Sequence, residues 1–290
     1  MNVSSLSGGF SYMNGHVLTM KKIVLFSFFL LGIQQSTNCV SLASSFKKLA
    51  PSFFKSKELS APRIALITIN DDMNFYQVAQ HLIAVAKNRA FDGAILVVNN
   101  YGGSLGAFSV IHDLIKKVSE KKPIVCLVGQ GALSCGYVIA SATNYIFAHT
   151  LSDLGALGVI RQVKRYKQAK VKEDSLEADM HVELLFSGAF KSETHVFAKD
   201  LTDEQRRSLQ AELDFSYAAM LDMVAKNRNL KRENYKEWAE GQVFIAPHAL
   251  KLGLIDQIGT IFDAEEKIRE LVVKKNSQAT YGSGVTVVTL

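Results

Sequence analysis

Four apolar runs punctuate the first half of the chain: RIALITI (63–69), GAILVVN (93–99), PIVCLVG (123–129) and the weaker YIFAH (145–149). They are rich in β-branched residues and apolar on both faces. That is the pattern of parallel strands buried between helices, not of strands with one wet face. The intervals carry helical periodicity. Val78, Leu82 and Val85 recur at i, i+4, i+7 between Phe75 and Lys87, and Leu105, Phe108, Ile111, Ile115 and Val118 make one stripe between Ser104 and Glu120. Strand alternating with helix predicts repeated βαβ units with right-handed crossovers, an α/β fold around a mostly parallel buried sheet.

Beyond residue 160 the pattern changes. HVELLFSGAFKS (181–192) predicts a short strand turning through Gly188. A long helix is expected from about Asp203 to Lys226, with Leu209, Leu213, Tyr217, Met220 and Val224 on its buried face. Thr202 and Gln205 have the spacing of a capping box at its start. APHALKLGLIDQIG reads as a short helix ending at Gly253 and then a brief strand, and DAEEKIRELVVKK as a last amphipathic helix. The tail SQATYGSGVTVVTL is broken by Gly and Ser before a β-branched end. Residues 276–290 are therefore expected to be flexible or strand-like, with VTVVTL able to lie in a substrate groove as an extended peptide.

Composition places the chain among globular proteins: 290 residues, 48% hydrophobic and 21% charged. A net charge of +6, from 33 Lys and Arg against 27 Asp and Glu, is too small to argue for nucleic acid. Cys39, Cys126 and Cys135 form no C-x-x-C pair, and imply neither a disulfide framework nor a zinc site. The N-terminal part is more specific. From Met20, MKKIVLFSFFLLGIQQSTNCVSLASS has two lysines, an apolar run from Ile23 to Ile33 and then small and polar residues, the order found in secretory signals. The run is short against the ~20 residues of a spanning helix. Residues 20–43 are therefore expected to be a signal peptide or a membrane anchor, with a cleavage point after Ala43. Residues 1–19 fit no part of this scheme and read as untranslated or disordered. Residues 44–60, basic with aromatics, read as a plain linker or as a tether near a membrane surface. The basic stretch 161–172 reads as a solvated face or a contact with anionic lipid.

Candidate chemistry gathers beside the expected strand ends, where open α/β sheets collect ligands. NNYGGSLG (99–106) follows the second strand, GALSCGY (131–137) the third and LGALGV (154–159) the fourth, and SGAFKS (187–192) comes later. Ser134 stands among small residues at a helix start. It is either a plain N-cap or a nucleophile that a peptide backbone must approach closely. Gly102 and Gly103 permit such an approach, and the N–H groups of Gly103 and Cys135 are placed to receive an oxyanion. None of the seven histidines lies in a segment resembling a triad partner. A lysine is the alternative base, and Lys191 follows the unusually apolar LLFSGAF.

Taken together, these segments resemble the signal peptide peptidase A (protease IV) family of serine proteases in its short single-domain form, over residues 62–272. That family shares the scaffold of the Clp protease and crotonase folds. NNYGGSLGAFSVIHDLI is similar to the family's Asn/Ser-Pro-Gly-Gly stretch, with Tyr101 where proline is usual. ALSCGYVIA stands where the family has Ala-Ala-Ser-Gly-Gly-Tyr-Tyr-Ile-Ala. LGALGV resembles Gly-Ser-Ile-Gly-Val, which borders the substrate groove, and VELLFSGAFKS resembles the segment ending Gly-Lys-Tyr-Lys-Ser. GQVFIAPHALKLGLIDQIGTIFDA resembles the C-terminal stretch but lacks its usual Thr-Gly, and KRYKQAKVKEDSLEAD (164–179) has no counterpart.

The resemblance implies a peptidase domain over residues 61–275, of Clp protease/crotonase-like fold with C-terminal helices. Ser134 would be the nucleophile and Lys191 its general base in a membrane-associated Ser/Lys endopeptidase. Gly102, Gly155, Leu157 and Gly158 would border the groove. It implies extended apolar peptides such as released signal peptides as substrates, a ring-like homo-oligomer, and no metal or other cofactor. Leu133 and Cys135 replace small residues beside the nucleophile, and Cys135 is expected to narrow the pocket. Two alternatives stand beside this reading, an inactive scaffold of the same fold and a crotonase-type acyl-CoA enzyme. The charge-flanked run after Met20 places the catalytic domain outside the cytoplasm. A reporter enzyme active only in the cytoplasm, fused after residue 60, should therefore give no signal, and a bright signal would exclude export.

Overall fold

The computed structural model describes residues 60–165, 183–277 and 280–290. The expected export signal, the linker up to residue 59, residues 166–172 of the basic stretch and the first two residues of HVELLFSGAFKS lie outside the described residues. Among those described, no helix is long and apolar enough to cross a membrane.

The first half follows the βαβ order read from the sequence. Strand β1 (Arg63–Asn70) leads to α1 (Phe75–Lys87), β2 (Gly93–Asn100) to α2 (Leu105–Ser119), and β3 (Ile124–Leu133) to the short α3 (Cys135–Ser141), before β4 (Tyr145–Ala148) and β5 (Asp153–Gly155). The second half holds α4 (Asp203–Arg228), a 3₁₀ turn (Arg232–Asn234), α5 (Tyr235–Trp238), β6 (Val243–Ile245), α6 (Ala246–Lys251), β7 (Gln257–Ile258), α7 (Ile261–Lys275) and β8 (Thr286–Thr289). The sheet runs β6-β5-β3-β2-β1-β8, with β4 beside β3 and β7 beside β4. Every pairing is parallel except β5 with β6. β3 is shared: its first half pairs with β4 through Val125–Val128, and its last residues, Gly131–Leu133, pair with β5. The sheet therefore splays open at the end of β3, where α3 begins.

Helices α1 and α2 bury the predicted stripes, Val78, Leu82 and Val85 on one and Phe108, Ile111, Ile115 and Val118 on the other. On the opposite face α7 packs Ala264, Ile268 and Val272 against Ile64, Ile95, Val125, Leu127 and Phe147. Coverage on both faces explains why the strands are continuous apolar runs. Helix ends are closed by side chains. Asn74 caps α1, and the Thr202–Gln205 capping box opens α4. Lys122 Nζ donates to the carbonyls of Val85 (2.7 Å) and Asn88 (2.8 Å), placing a cation at the negative end of α1.

Two expectations change. Residues 183–194 form no strand: 183–186 are irregular and 187–194 bend and turn, with Leu185 and Phe186 exposed. An isolated hydrophobic run acquires strand geometry only beside a partner edge, and this segment has none among the described residues. The tail is a strand, but it does not occupy a groove. β8 lies parallel to β1 at the sheet edge, from Arg63↔Thr286 to Leu66↔Thr289. It is fixed by Thr286 N–H to Pro62 O (2.8 Å) and Leu290 N–H to Leu66 O (3.1 Å). Val285, Val288 and Leu290 pack against the two core layers. Deleting residues 285–290 should therefore destabilise the domain by about 2–3 kcal/mol in urea unfolding, from the partial burial of three apolar side chains. An unchanged midpoint would mean that this strand pairing does not hold in solution.

Candidate active site

The turn from β3 into α3 is a single residue. Ser134 has φ 52° and ψ −123°, a conformation L-residues rarely adopt and one worth on the order of 1–3 kcal/mol of strain. Its N–H donates to Gly155 O (2.7 Å), and its carbonyl accepts from Tyr137 and Val138 N–H (both 3.1 Å). The hydroxyl makes no capping bond, so the plain N-cap reading fails. A strained strand-to-helix turn that lifts a serine hydroxyl off the backbone is the geometry of a nucleophile elbow.

The surrounding glycines are required by contact. A Cβ on Gly102, which has φ 115°, would lie 2.8 Å from Ser134 Cβ and 3.2 Å from its Oγ. A Cβ on Gly136 would lie 2.3 Å from Asn100 O. The start of α3 is thus pressed against the end of β2, and the 100–103 loop passes directly over the hydroxyl.

That loop is held from below. Asn100, buried, donates from Nδ2 to Asn70 O (3.0 Å) and accepts Gly102 N–H on Oδ1 (3.0 Å). Tyr101 N–H donates to Asp71 Oδ1 (2.8 Å). Asn100 and Asp71 were not singled out in the sequence. Their only signal there is that Asn70-Asp71-Asp72 and Asn99-Asn100 close adjacent strands. Among the described residues, the N–H groups of Gly103 and Cys135 have no acceptor. They are the two donors expected to receive an oxyanion. Cys135, expected to narrow the pocket, is turned into the core. Its side chain is buried, its Sγ–H donates to Gly103 O (3.3 Å), and burial pushes the thiol pKa up.

The other groove candidates divide. Gly155 adjoins Ser134 through the bond above and has φ 97°. Gly158 lies against Gly241. Leu157 is a core residue with no exposed surface, so its side chain lines no groove, and its carbonyl accepts Gly241 N–H (2.8 Å).

Lys191 is exposed, in turns closed by Lys191 N–H to Gly188 O and Glu193 N–H to Phe190 O (both 3.1 Å). The Arg165 guanidinium steadies the segment, donating to Glu193 O (2.7 Å), Lys199 O (2.9 Å) and His195 O (3.3 Å). The apolar neighbours expected to bury Lys191 are themselves exposed: Leu185 by 88%, Phe186 by 55% and Phe190 by 42%. The structure brings together Ser134, Gly102, Gly103, Cys135 and Gly155, and joins Lys191 to none of them by a hydrogen bond.

Gly102→Ala follows directly as a test of this packing. A methyl group there displaces Ser134 and strains a positive φ, so reaction of Ser134 with a fluorophosphonate should fall at least tenfold while the circular dichroism spectrum is kept. Parental reactivity would show that Gly102 does not abut the hydroxyl.

Comparison with known proteins adds an independent line. The profile of peptidase family S49 matches residues 116–275, more than half of the chain, and that of Clp protease matches residues 54–152. The chain is 29% identical over 184 residues to a protein of Synechocystis sp. that carries a protease name, covering 63% of this chain and 64% of that one. It is 28% identical over 205 residues to protease 4 of Haemophilus influenzae, covering 70% and 32%. It is 26% identical over 201 residues to the chloroplastic serine protease SPPA of Arabidopsis thaliana, covering 69% and 28%. The chain spans less than two thirds of the length of each of these relatives. Its α/β body is a Clp protease-like domain, and the chain belongs to peptidase family S49.

Proposed function

We propose that this chain is a serine endopeptidase with Ser134 as its nucleophile. The observation that carries the reading is the strained Ser134 turn, its hydroxyl uncapped and two unpaired N–H groups close in sequence to it and to Gly102. Ser134 Oγ attacks the carbonyl carbon of a peptide bond, and the carbonyl oxygen becomes an oxyanion held by Gly103 and Cys135 N–H. Lys191, as an uncharged amine, takes the hydroxyl proton and passes it to the leaving amine. Water then hydrolyses the acyl-enzyme and regenerates Ser134.

Exposure of Lys191 belongs to this reading. Leu185, Phe186 and Phe190, its neighbours in sequence, are uncovered apolar side chains, of the kind that association covers. In the proposed enzyme a second copy covers this segment in a homo-oligomer, and the base is desolvated by assembly. Extended apolar peptides, including released signal peptides, are the proposed substrates. The proposed setting is the extracytoplasmic face of a membrane, with the segment after Met20 as leader or anchor.

Labelling of the full chain by a fluorophosphonate tests the nucleophile. The parent should be marked at Ser134, and Ser134→Ala should not be marked. Lys191→Met should lose peptide cleavage while the unfolding stability of the dissociated chain, in which this side chain is exposed, stays within about 0.5 kcal/mol of the parent. An unlabelled parent would favour an inactive scaffold, and a Lys191→Met variant cleaving at the parental rate would remove Lys191 from the mechanism.

A further inference from the structure

The loop from Asn100 to Gly103, between the end of β2 and the start of α2, carries one half of the proposed oxyanion site. The other half, Cys135 N–H, belongs to a fully buried helix. What fixes the loop therefore decides whether both donors point at one atom. Asn100 fixes Gly102 through its Oδ1. The residue between them, Tyr101, has one backbone tether: its N–H donates to Asp71 Oδ1 at 2.8 Å, a bond between the ends of adjacent strands 30 residues apart. The Tyr101 ring adds a weaker contact. It lies over Gly131, where a Cβ would be 3.2 Å from Tyr101 Cε1.

We propose that Asp71 is a positioning residue of the active site. Its carboxylate, through the Tyr101 amide, sets the backbone that carries Gly102 and Gly103. A carboxylate accepting a backbone N–H is among the stronger hydrogen bonds available to such a loop. It provides a restraint that a proline at position 101 would provide differently, by fixing φ and having no N–H. Asp71 itself is exposed and touches neither Ser134 nor any group assigned to the chemistry.

The inference rests on the peptidase reading, and labelling of the full chain by a fluorophosphonate separates the two. Asp71→Ala should slow the limiting rate of Ser134 labelling about tenfold with the half-saturating probe concentration little changed. That is a fraction of the 10²–10³ lost when an oxyanion donor is removed outright. Asp71→Asn keeps an Oδ1 acceptor but loses the charge assistance, so its rate should fall between those of the parent and Asp71→Ala. In a Tyr101→Pro background there is no N–H to hold, so adding Asp71→Ala should change the rate less than twofold. A parent not labelled at Ser134 would overturn the peptidase reading. A labelled parent with an equally fast Asp71→Ala variant would overturn the role of Asp71 alone. The same loss from Asp71→Ala with and without Tyr101→Pro would also overturn it, because the effect would not pass through the Tyr101 amide.

Discussion

The contact between Gly136 and the Asn100 carbonyl is the constraint on which the site depends. A Cβ at 136 would come within 2.3 Å of that oxygen, so α3 reaches the end of β2 only because the second residue of the helix has no side chain. Once α3 is that close, β3 must turn into it within one residue, and Ser134 is forced to φ 52°. The same approach brings Gly102 against the serine hydroxyl. One missing methyl group thus links the backbone strain, the uncapped hydroxyl and the position of the proposed oxyanion loop.

Strain of this kind persists only where the surroundings over-determine it. Every residue of α3 is buried. Tyr137 OH donates to Leu254 O (2.5 Å), and Ser141 Oγ accepts from Asn227 Nδ2 (3.1 Å), which also meets His112 Nε2 (2.8 Å). Below it, Arg228 donates both Nη groups to Asp256 (2.9 and 3.0 Å) and its Nε–H to Gly253 O (3.0 Å), while Asp256 Oδ2 accepts Ile146 N–H (2.7 Å). A partly buried ion pair of this kind adds little net stability after desolvation. Its effect here is geometric, joining the end of α4, the start of β4 and the loop after α6 around the helix that carries Ser134. These polar bonds need particular partners, so they select one packing of α3 where an apolar core would tolerate several.

Sequence periodicity made the framework legible because the framework is what periodicity encodes. Val78, Leu82 and Val85 on α1, and Phe108, Ile111, Ile115 and Val118 on α2, are buried as their spacing requires. The short strands β5 and β6 were not legible. Three residues carry no period, and their pairing is settled by tertiary contact. The run 183–190 misled for a related reason: its hydrophobicity is real, but no edge among the described residues receives it. Around Ser134, small residues announced a close approach without saying what approached. Two side chains replaced by small ones could have served a substrate alone. The structure shows that Gly136 serves Asn100 and Gly102 serves Ser134. Asn100 and Asp71 act through backbone amides, and a hydrogen bond to an amide leaves no residue pattern at the recipient.

On the proposed reading, the two members of the dyad sit on very different supports. Ser134 is fixed by a sheet, a buried helix and a loop tied at two points. Lys191 stands on turns held mainly through the Arg165 guanidinium, with Gln205 Nε2 on Ala189 O (2.8 Å), and with apolar side chains turned outward. A rigid nucleophile and a loosely mounted base make proton transfer, not oxyanion binding, the step that surroundings control. Covering Leu185, Phe186 and Phe190 excludes water from the proton transfer and restricts the turns at once, and both changes favour a productive approach of the amine to Ser134 Oγ. The isolated chain then carries a complete oxyanion site and an unready base, so its reactivity toward a small electrophile and its cleavage of peptides need not rise together. Dilution below the assembly threshold should depress peptide cleavage more steeply than it depresses slow acylation by a strong electrophile, because only the former depends on the base in both half-reactions.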